Sequence, residues 1–318
     1  MNAVVFTNSL WGLPLINELF KQGSLKGIVI PLIDHVDNRQ IYDFSEKHKI
    51  PCIKIENIQL KNELADWLNT IKPDIAFCMT FPYLIPKIIL DIPIQGFVNF
   101  HFGRLPENAG ADPLFWTLKE NRKVAVITAH RMSIFFDCGS VIAEKEVPII
   151  PGENWGLLGN RLSVLTLSLI SEIIKKNKEL TNETIGINQN NSNKIELKDL
   201  RIQWTTQTAI EIESLVNACN PKYNGAITYF RGVQIRILEV SHADLSNVNS
   251  FKPGSIVLAD QQQGIFVLCS DYKFLRINLV STAEGYMTGQ KLVALGVRTN
   301  EIFYSNEFIT EEKETLLK

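Results

Sequence analysis

The chain has 318 residues, 45% of them hydrophobic, with a formal net charge of -2, enough to bury a substantial core and to form two domains. Lys and Arg never run beyond a pair such as Lys175-Lys176, so the basic stripe of a dedicated nucleic-acid binder is missing. The N-terminus has no basic segment ahead of its apolar residues and no stretch approaches the ~20 uninterrupted apolar residues of a bilayer span, so a cytoplasmic location without membrane contact is expected.

Residues 3–7 (Ala-Val-Val-Phe-Thr) predict a short buried strand, followed by a helix from Trp11 to Lys21 with Leu15, Ile16, Leu19 and Phe20 on its apolar face. The pattern repeats: "LKGIVIPL" a strand, "NRQIYDFSEKHK" a helix, "PCIKI" a strand, "LKNELADWLNTIK" a helix, "DIAFCMT" a strand. Strands apolar on both faces, alternating with helices, imply a mostly parallel sheet covered on each side, hence an α/β architecture. After a further strand at 96–102 come a helix from about Asp112 to Glu120, the strands "VAVITAHRM" and "SVIAEKEVPII", and a long helix near 154–176 whose Leu158, Leu162, Leu165, Leu169 and Ile173 form a core stripe. From Asn177 to Leu200 the chain turns Asn-rich and poor in large apolar residues, the composition of a linker. A helix near 207–219 then precedes "GAITYF", "VQIRILEV", "GSIVLA", "GIFVLCS" and "FLRINLV", short strands with turn residues between them that predict a small β-barrel. The expected domains are 1–180 and 201–318, joined by 181–200.

Candidate chemistry starts in "GFVNFHFGRLP" (96–106), where the two-residue strand period puts Asn99 and His101 on one face and Val98, Phe100 and Phe102 on the other. Carboxyl ends of strands are where α/β sheets form ligand crevices. Such a pair also fits a structural histidine satisfied by a backbone carbonyl. A second polar break, "IFFDCGSVI", sets Asp137 in a tight turn, which is ordinary turn chemistry by itself and, beside His101, the carboxylate that orients or stabilises an imidazole. The five cysteines (Cys52, Cys78, Cys138, Cys219, Cys269) contain no C-x-x-C pair and read as reduced core thiols; neither they nor the scattered histidines form a metal-ligand cluster.

These residues resemble the 10-formyltetrahydrofolate-dependent formyltransferases, the family of methionyl-tRNA formyltransferase and the amino-sugar N-formyltransferases. The likeness rests on "NFHFGRLP" followed about 35 residues on by "FFDCGSVI", on the upstream "TFPYLIPKIILDIPIQG", and on "RIQWTTQTA" and "NPKYNGAITYF" past the linker. It implies a Rossmann-like catalytic domain followed by an OB-like barrel, 10-formyltetrahydrofolate as cosubstrate, and no metal. It assigns Asn99 and His101 to stabilising the oxyanion formed when an amine attacks the formyl carbon. Asp137 would stabilise the charged His101 and take up the amine proton. The pterin would lie between Tyr83, Leu84 and Ile85 on one side and Ile134, Phe135 and Phe136 on the other, held largely by backbone groups.

The chain departs from the methionyl-tRNA enzymes in lacking a basic, glycine-containing insertion after its second strand, and in having Gly103 where they carry Ser and Ala109 where they carry Arg. Arg is the residue suited to grip phosphate, and residues 201–318 hold no excess of basic over acidic residues. These differences favour a small primary amine, such as an amino sugar, as the acceptor, with Glu107, Asn108, Gly110 and Asp112 as its binding loop; tRNA is disfavoured. Hydrolysis of the folate to formate, or folate binding without turnover, are the other functions this pattern allows. The oligomeric state is not fixed by the sequence.

Overall fold

The structure, a computed structural model, describes residues 1–56, 61–177, 194–245 and 251–306. Most of the expected linker, 178–193, lies outside the described residues. Two compact units result, one of residues 1–113, 124–149 and 158–194, the other of 114–123, 150–157 and 195–318.

The first unit is built on strands β1 (Ala3–Thr7), β2 (Leu25–Pro31), β3 (Cys52–Ile55), β4 (Ile75–Met79), β5 (Phe97–His101), β6 (Val124–Arg131) and β7 (Val141–Pro148). They form one sheet in the order β3-β2-β1-β4-β5-β6-β7. The pairings among β1 to β5 are parallel, and β6 and β7 add in antiparallel fashion. β1 and β4 are buried along their whole length, which is why their sequences are continuous apolar runs rather than alternations. Because β1 has β2 on one side and β4 on the other, the strand order reverses there, and the carboxyl ends of β1, β4 and β5 border the crevice that such a reversal opens.

The helices of this unit are α1 (Leu13–Lys21), α2 (Val36–His48), α3 (Lys61–Ile71) and α4 (Lys87–Leu90); α5 (Pro113–Lys119) falls mostly in the second unit, and α6 (Trp155–Asn177) follows. The helix expected from Trp11 begins as a 3-10 turn capped by Ser9, with α1 starting behind it at Leu13 and a proline in its first turn, where the missing N–H costs nothing. Leu15, Ile16 and Leu19 are fully buried, but Phe20 is 36% exposed, because its ring lies against Phe44 and His48 of α2 instead of the sheet. α6 is long and apolar enough to span a membrane by composition, yet Leu158, Leu162, Leu169 and Ile173 are buried, each contributing roughly 2 kcal/mol of apolar burial. It is a core helix.

The second unit contains α7 (Ala209–Cys219), strands β8 (Ala226–Phe230), β9 (Val233–Ala243), β10 (Ile256–Asp260), β11 (Gly264–Leu268), β12 (Phe274–Thr282) and β13 (Gly285–Thr288), helix α8 (Gly289–Ala294) and β14 (Phe303–Tyr304). The sheet runs β10-β11-β12-β9-β8-β14, with β13 paired to β12. Its ends meet: Ser255 bridges Ile302, the Ile256 N–H donates to the Glu301 carbonyl (2.7 Å) and the Phe303 N–H to the Gly254 carbonyl (2.8 Å). The antiparallel sheet thus curls and closes as a barrel. β13, α8 and β14 have no counterpart among the expected elements; β13 is a half-exposed four-residue edge and β14 has two residues, too short for a periodic signal.

Candidate active site

β5 delivers Asn99 and His101 to one face at its carboxyl end, since alternate residues of a strand share a face. The parallel partner β4 sets Cys78 opposite Asn99, and the antiparallel partner β6 sets His130 opposite it on the other side. Asp137 stands in the turn between β6 and β7 with φ 53°, a left-handed conformation that Asp tolerates better than most side chains.

These residues form one buried polar cluster. The Asp137 Oδ1 lies 3.4 Å from His101 Nδ1 and 3.7 Å from His130 Nε2. Asn99 Nδ2 is 3.0 Å from His130 Nε2, so Asn99 reaches the carboxylate through a second imidazole. His101, His130 and Asp137 have side-chain exposures of 7%, 2% and 12%, so their electrostatics act with little solvent screening. Burial pushes the His130 imidazole down to about 4; Asp137 opposes the shift and His101 adds to it. His130 is neutral at physiological pH. Burial pushes the Cys78 thiol up to about 12, so it is not a nucleophile.

The loop after β5 closes over the cluster with its backbone. His101 Nε2–H donates to the Asn108 carbonyl (2.8 Å), and the Gly110 N–H donates to Asp137 Oδ2 (3.0 Å). Gly110 and Asp112 both have positive φ (109° and 47°), which shapes the loop so that these backbone groups point inward. Of the expected acceptor-loop residues, Asn108 and Gly110 therefore touch the cluster through main-chain atoms. Glu107 faces Arg104 at 3.6 Å instead. Arg104 also lies 3.4 Å from Glu144 and contacts Glu146. Gly103 packs tightly: a Cβ there would sit 2.7 Å from Pro113 Cβ and 3.1 Å from His101 Nε2. A side chain at this position would have to displace Pro113 or His101.

A cleft of about 390 Å³ is lined by Leu90, Ile94, Phe97, Arg131, Met132 and Ile134 among others, at the start of β5 rather than at its carboxyl end. Of the residues expected against a pterin, Ile134 lines it. The Ile85 side chain is 1% exposed within the apolar cluster between sheet and α3, with Tyr83 packed beside it, so Ile85 offers a ligand only its backbone. Leu84, Phe135 and Phe136 are exposed at 37%, 53% and 61%, apolar surface of the kind a flat ligand covers.

Nothing in the sequence singles out His130. It sits in an apolar strand that reads as core, and only its register opposite Asn99 gives it a role. Among the described residues no group of His, Cys, Asp and Glu is arranged to hold a metal.

A formyl transferase family profile matches residues 1–174, and a formyl transferase C-terminal domain profile matches 194–294. The chain belongs to the formyl transferase family. It is a formyl-transfer enzyme, and a methionyl-tRNA formyltransferase from Alkaliphilus oremlandii is 30% identical over 260 residues, covering 79% of this chain and 77% of the relative. HypX from Aquifex aeolicus, solved with tetrahydrofolic acid, superposes with a TM-score of 0.65 at 14% identity over 95% of this chain, which spans 49% of HypX. An N-formyltransferase from Helicobacter canadensis, solved with folinic acid and dTDP-3-aminofucose, gives 0.61 at 14% identity over 86% of this chain and 98% of that one. These two likenesses carry the fold.

Proposed function

We propose that this formyl transferase moves the formyl group of 10-formyltetrahydrofolate to the primary amine of a small metabolite, in residues 1–180, with 201–318 as an accessory barrel. The observation that carries the reading is the buried His101–Asp137 pair, 3.4 Å apart, with Asn99 beside it at the end of β5. A site of this kind supplies donors to a developing oxyanion and a base to an attacking amine. The cosubstrate assignment is supported by the solved relatives that hold tetrahydrofolic or folinic acid. The candidate place for the pterin is between Tyr83, Leu84 and Ile85 on one side and Ile134, Phe135 and Phe136 on the other, where Leu84, Phe135 and Phe136 leave apolar surface exposed.

The amine nitrogen attacks the formyl carbon, and the formyl oxygen takes up negative charge. Asn99 Nδ2–H and His101 Nε2–H donate to that oxygen, the latter exchanging its bond to the Asn108 carbonyl for it. Asp137 holds the positive charge on His101 through Nδ1 and takes a proton from the amine. The bond from the formyl carbon to N10 then breaks, N10 takes the proton that Asp137 received from the amine, and tetrahydrofolate leaves with the amine formylated.

The choice of a small amine is supported by Arg104: the cation of the acceptor loop is already engaged by Glu107, Glu144 and Glu146, leaving that loop poorly suited to gripping phosphates. Glu107, Asn108, Gly110 and Asp112 remain the candidate acceptor loop. A tRNA acceptor is the second reading, favoured by the 30%-identical methionyl-tRNA formyltransferase. Incubating the protein with 10-formyltetrahydrofolate and a panel of amino sugars, other small amines and aminoacylated initiator tRNA, while following tetrahydrofolate release, decides between them. Turnover with a small amine supports the reading, turnover with tRNA alone reverses the acceptor, and no turnover with any acceptor defeats formyl transfer to amines.

A further inference from the structure

His130 lies outside the Asn99, His101 and Asp137 set, yet its geometry is over-determined. Its Nδ1 is 3.0 Å from the Arg131 carbonyl, and a carbonyl only accepts, so the proton is on Nδ1. That carbonyl is held in place. The Arg131 N–H donates to the Ser140 carbonyl at 2.9 Å, and a Cβ on Gly139 would come within 1.5 Å of the Arg131 oxygen, so only glycine fits the turn there. With Nδ1 protonated and the ring neutral, Nε2 is an acceptor, and the group it meets at 3.0 Å is the Asn99 side-chain amide. Only the NH₂ end of that amide satisfies an acceptor; the flipped amide would set its oxygen against the lone pair of Nε2.

We infer that His130 is a positioning residue for formyl transfer: locked as the Nδ1–H tautomer, it fixes the Asn99 amide with its nitrogen toward His130 Nε2, leaving the second N–H of Nδ2 as the donor to the formyl oxygen. The inference rests on the proposed formyl transfer for its consequence and on the hydrogen-bond pattern for its geometry. The titratable groups facing the ring are Asp137 from the β6–β7 turn and His101 from β5. Burial keeps the ring neutral beside them, so the acceptor persists at physiological pH.

The test compares H130L, which removes the acceptor, with H130Q, whose amide oxygen replaces Nε2, each in the wild-type and N99A backgrounds. With an amine acceptor, H130L is expected to lower kcat by ~10- to 100-fold with KM values for folate and amine nearly unmoved, as when an oxyanion donor is misaimed. H130Q should recover most of that loss, and in the N99A background H130L should cost about twofold or less, since the two residues act as one unit. An equal loss from H130L in both backgrounds, or an H130Q as impaired as H130L, overturns the inference. Imidazole ¹⁵N spectra of the wild-type protein answer the same question if a variant fails to fold: a neutral Nδ1–H His130 at pH 7 supports it, and an Nε2–H tautomer or an imidazolium overturns it. Because those spectra need no substrate, they separate a failure of this inference from a wild-type protein that transfers no formyl group.

Discussion

Lowering the pH from 7 to 5 perturbs the His130 imidazole through the folding equilibrium. Its folded value is depressed from 6.5 to about 4 by burial, so below pH 6.5 the unfolded chain binds a proton that the folded chain excludes. Stability then rises with pH in this window and falls as the pH drops from 6.5 toward 4. At pH 5 the unfolded histidine is almost fully protonated and the folded one only slightly, a difference equivalent to about 2 kcal/mol. Other groups with depressed values, such as Glu301 beside Arg231, also lose stability on acidification, but they do so equally in a variant that keeps them. Urea unfolding of wild type and H130Q, followed by circular dichroism at pH 7 and pH 5, isolates the histidine. Wild type is expected to lose about 2 kcal/mol more than H130Q between the two pH values. Equal losses would show that His130 titrates normally in the folded protein, and would remove the neutral acceptor on which the Asn99 geometry depends.

H101A and D137N should each reduce formyl transfer by roughly two to four orders of magnitude, the scale of a lost oxyanion donor or acid-base group, while tetrahydrofolate affinity by calorimetry stays within a few fold. G103A should destabilise the protein by ~1–3 kcal/mol through overpacking against Pro113 and His101, visible as a lowered urea midpoint, with a kcat loss because His101 is displaced. T228V strands the indole N–H of Trp204, which donates to the Thr228 hydroxyl at 2.9 Å in the barrel interior, and should cost ~1–3 kcal/mol in the same assay. Binding of initiator tRNA should be weak at low salt and show little of the steep salt dependence that several phosphate contacts produce; tight binding with a steep slope in a filter assay would favour the tRNA reading.

Local pattern determined the α/β layers, because a two-residue or 3.6-residue period is written into any segment that buries one face. The same period sufficed to put Asn99 and His101 on one side of β5, and "DCG" sufficed to mark a turn at Asp137. What spans distant parts of the chain was decided by tertiary structure. His130 is isolated in an apolar strand, and it became part of the site only through the antiparallel register that pairs it with Asn99. Asn108 and Gly110 reach His101 and Asp137 through backbone atoms, which carry no side-chain signature in a sequence. The barrel closes where Ser255 bridges Ile302, beside the two-residue β14, whose strand signal is too short to read. Residue type and spacing encode which way a side chain faces along its own element; which partner it meets depends on register and loop conformation, fixed only when the whole chain packs.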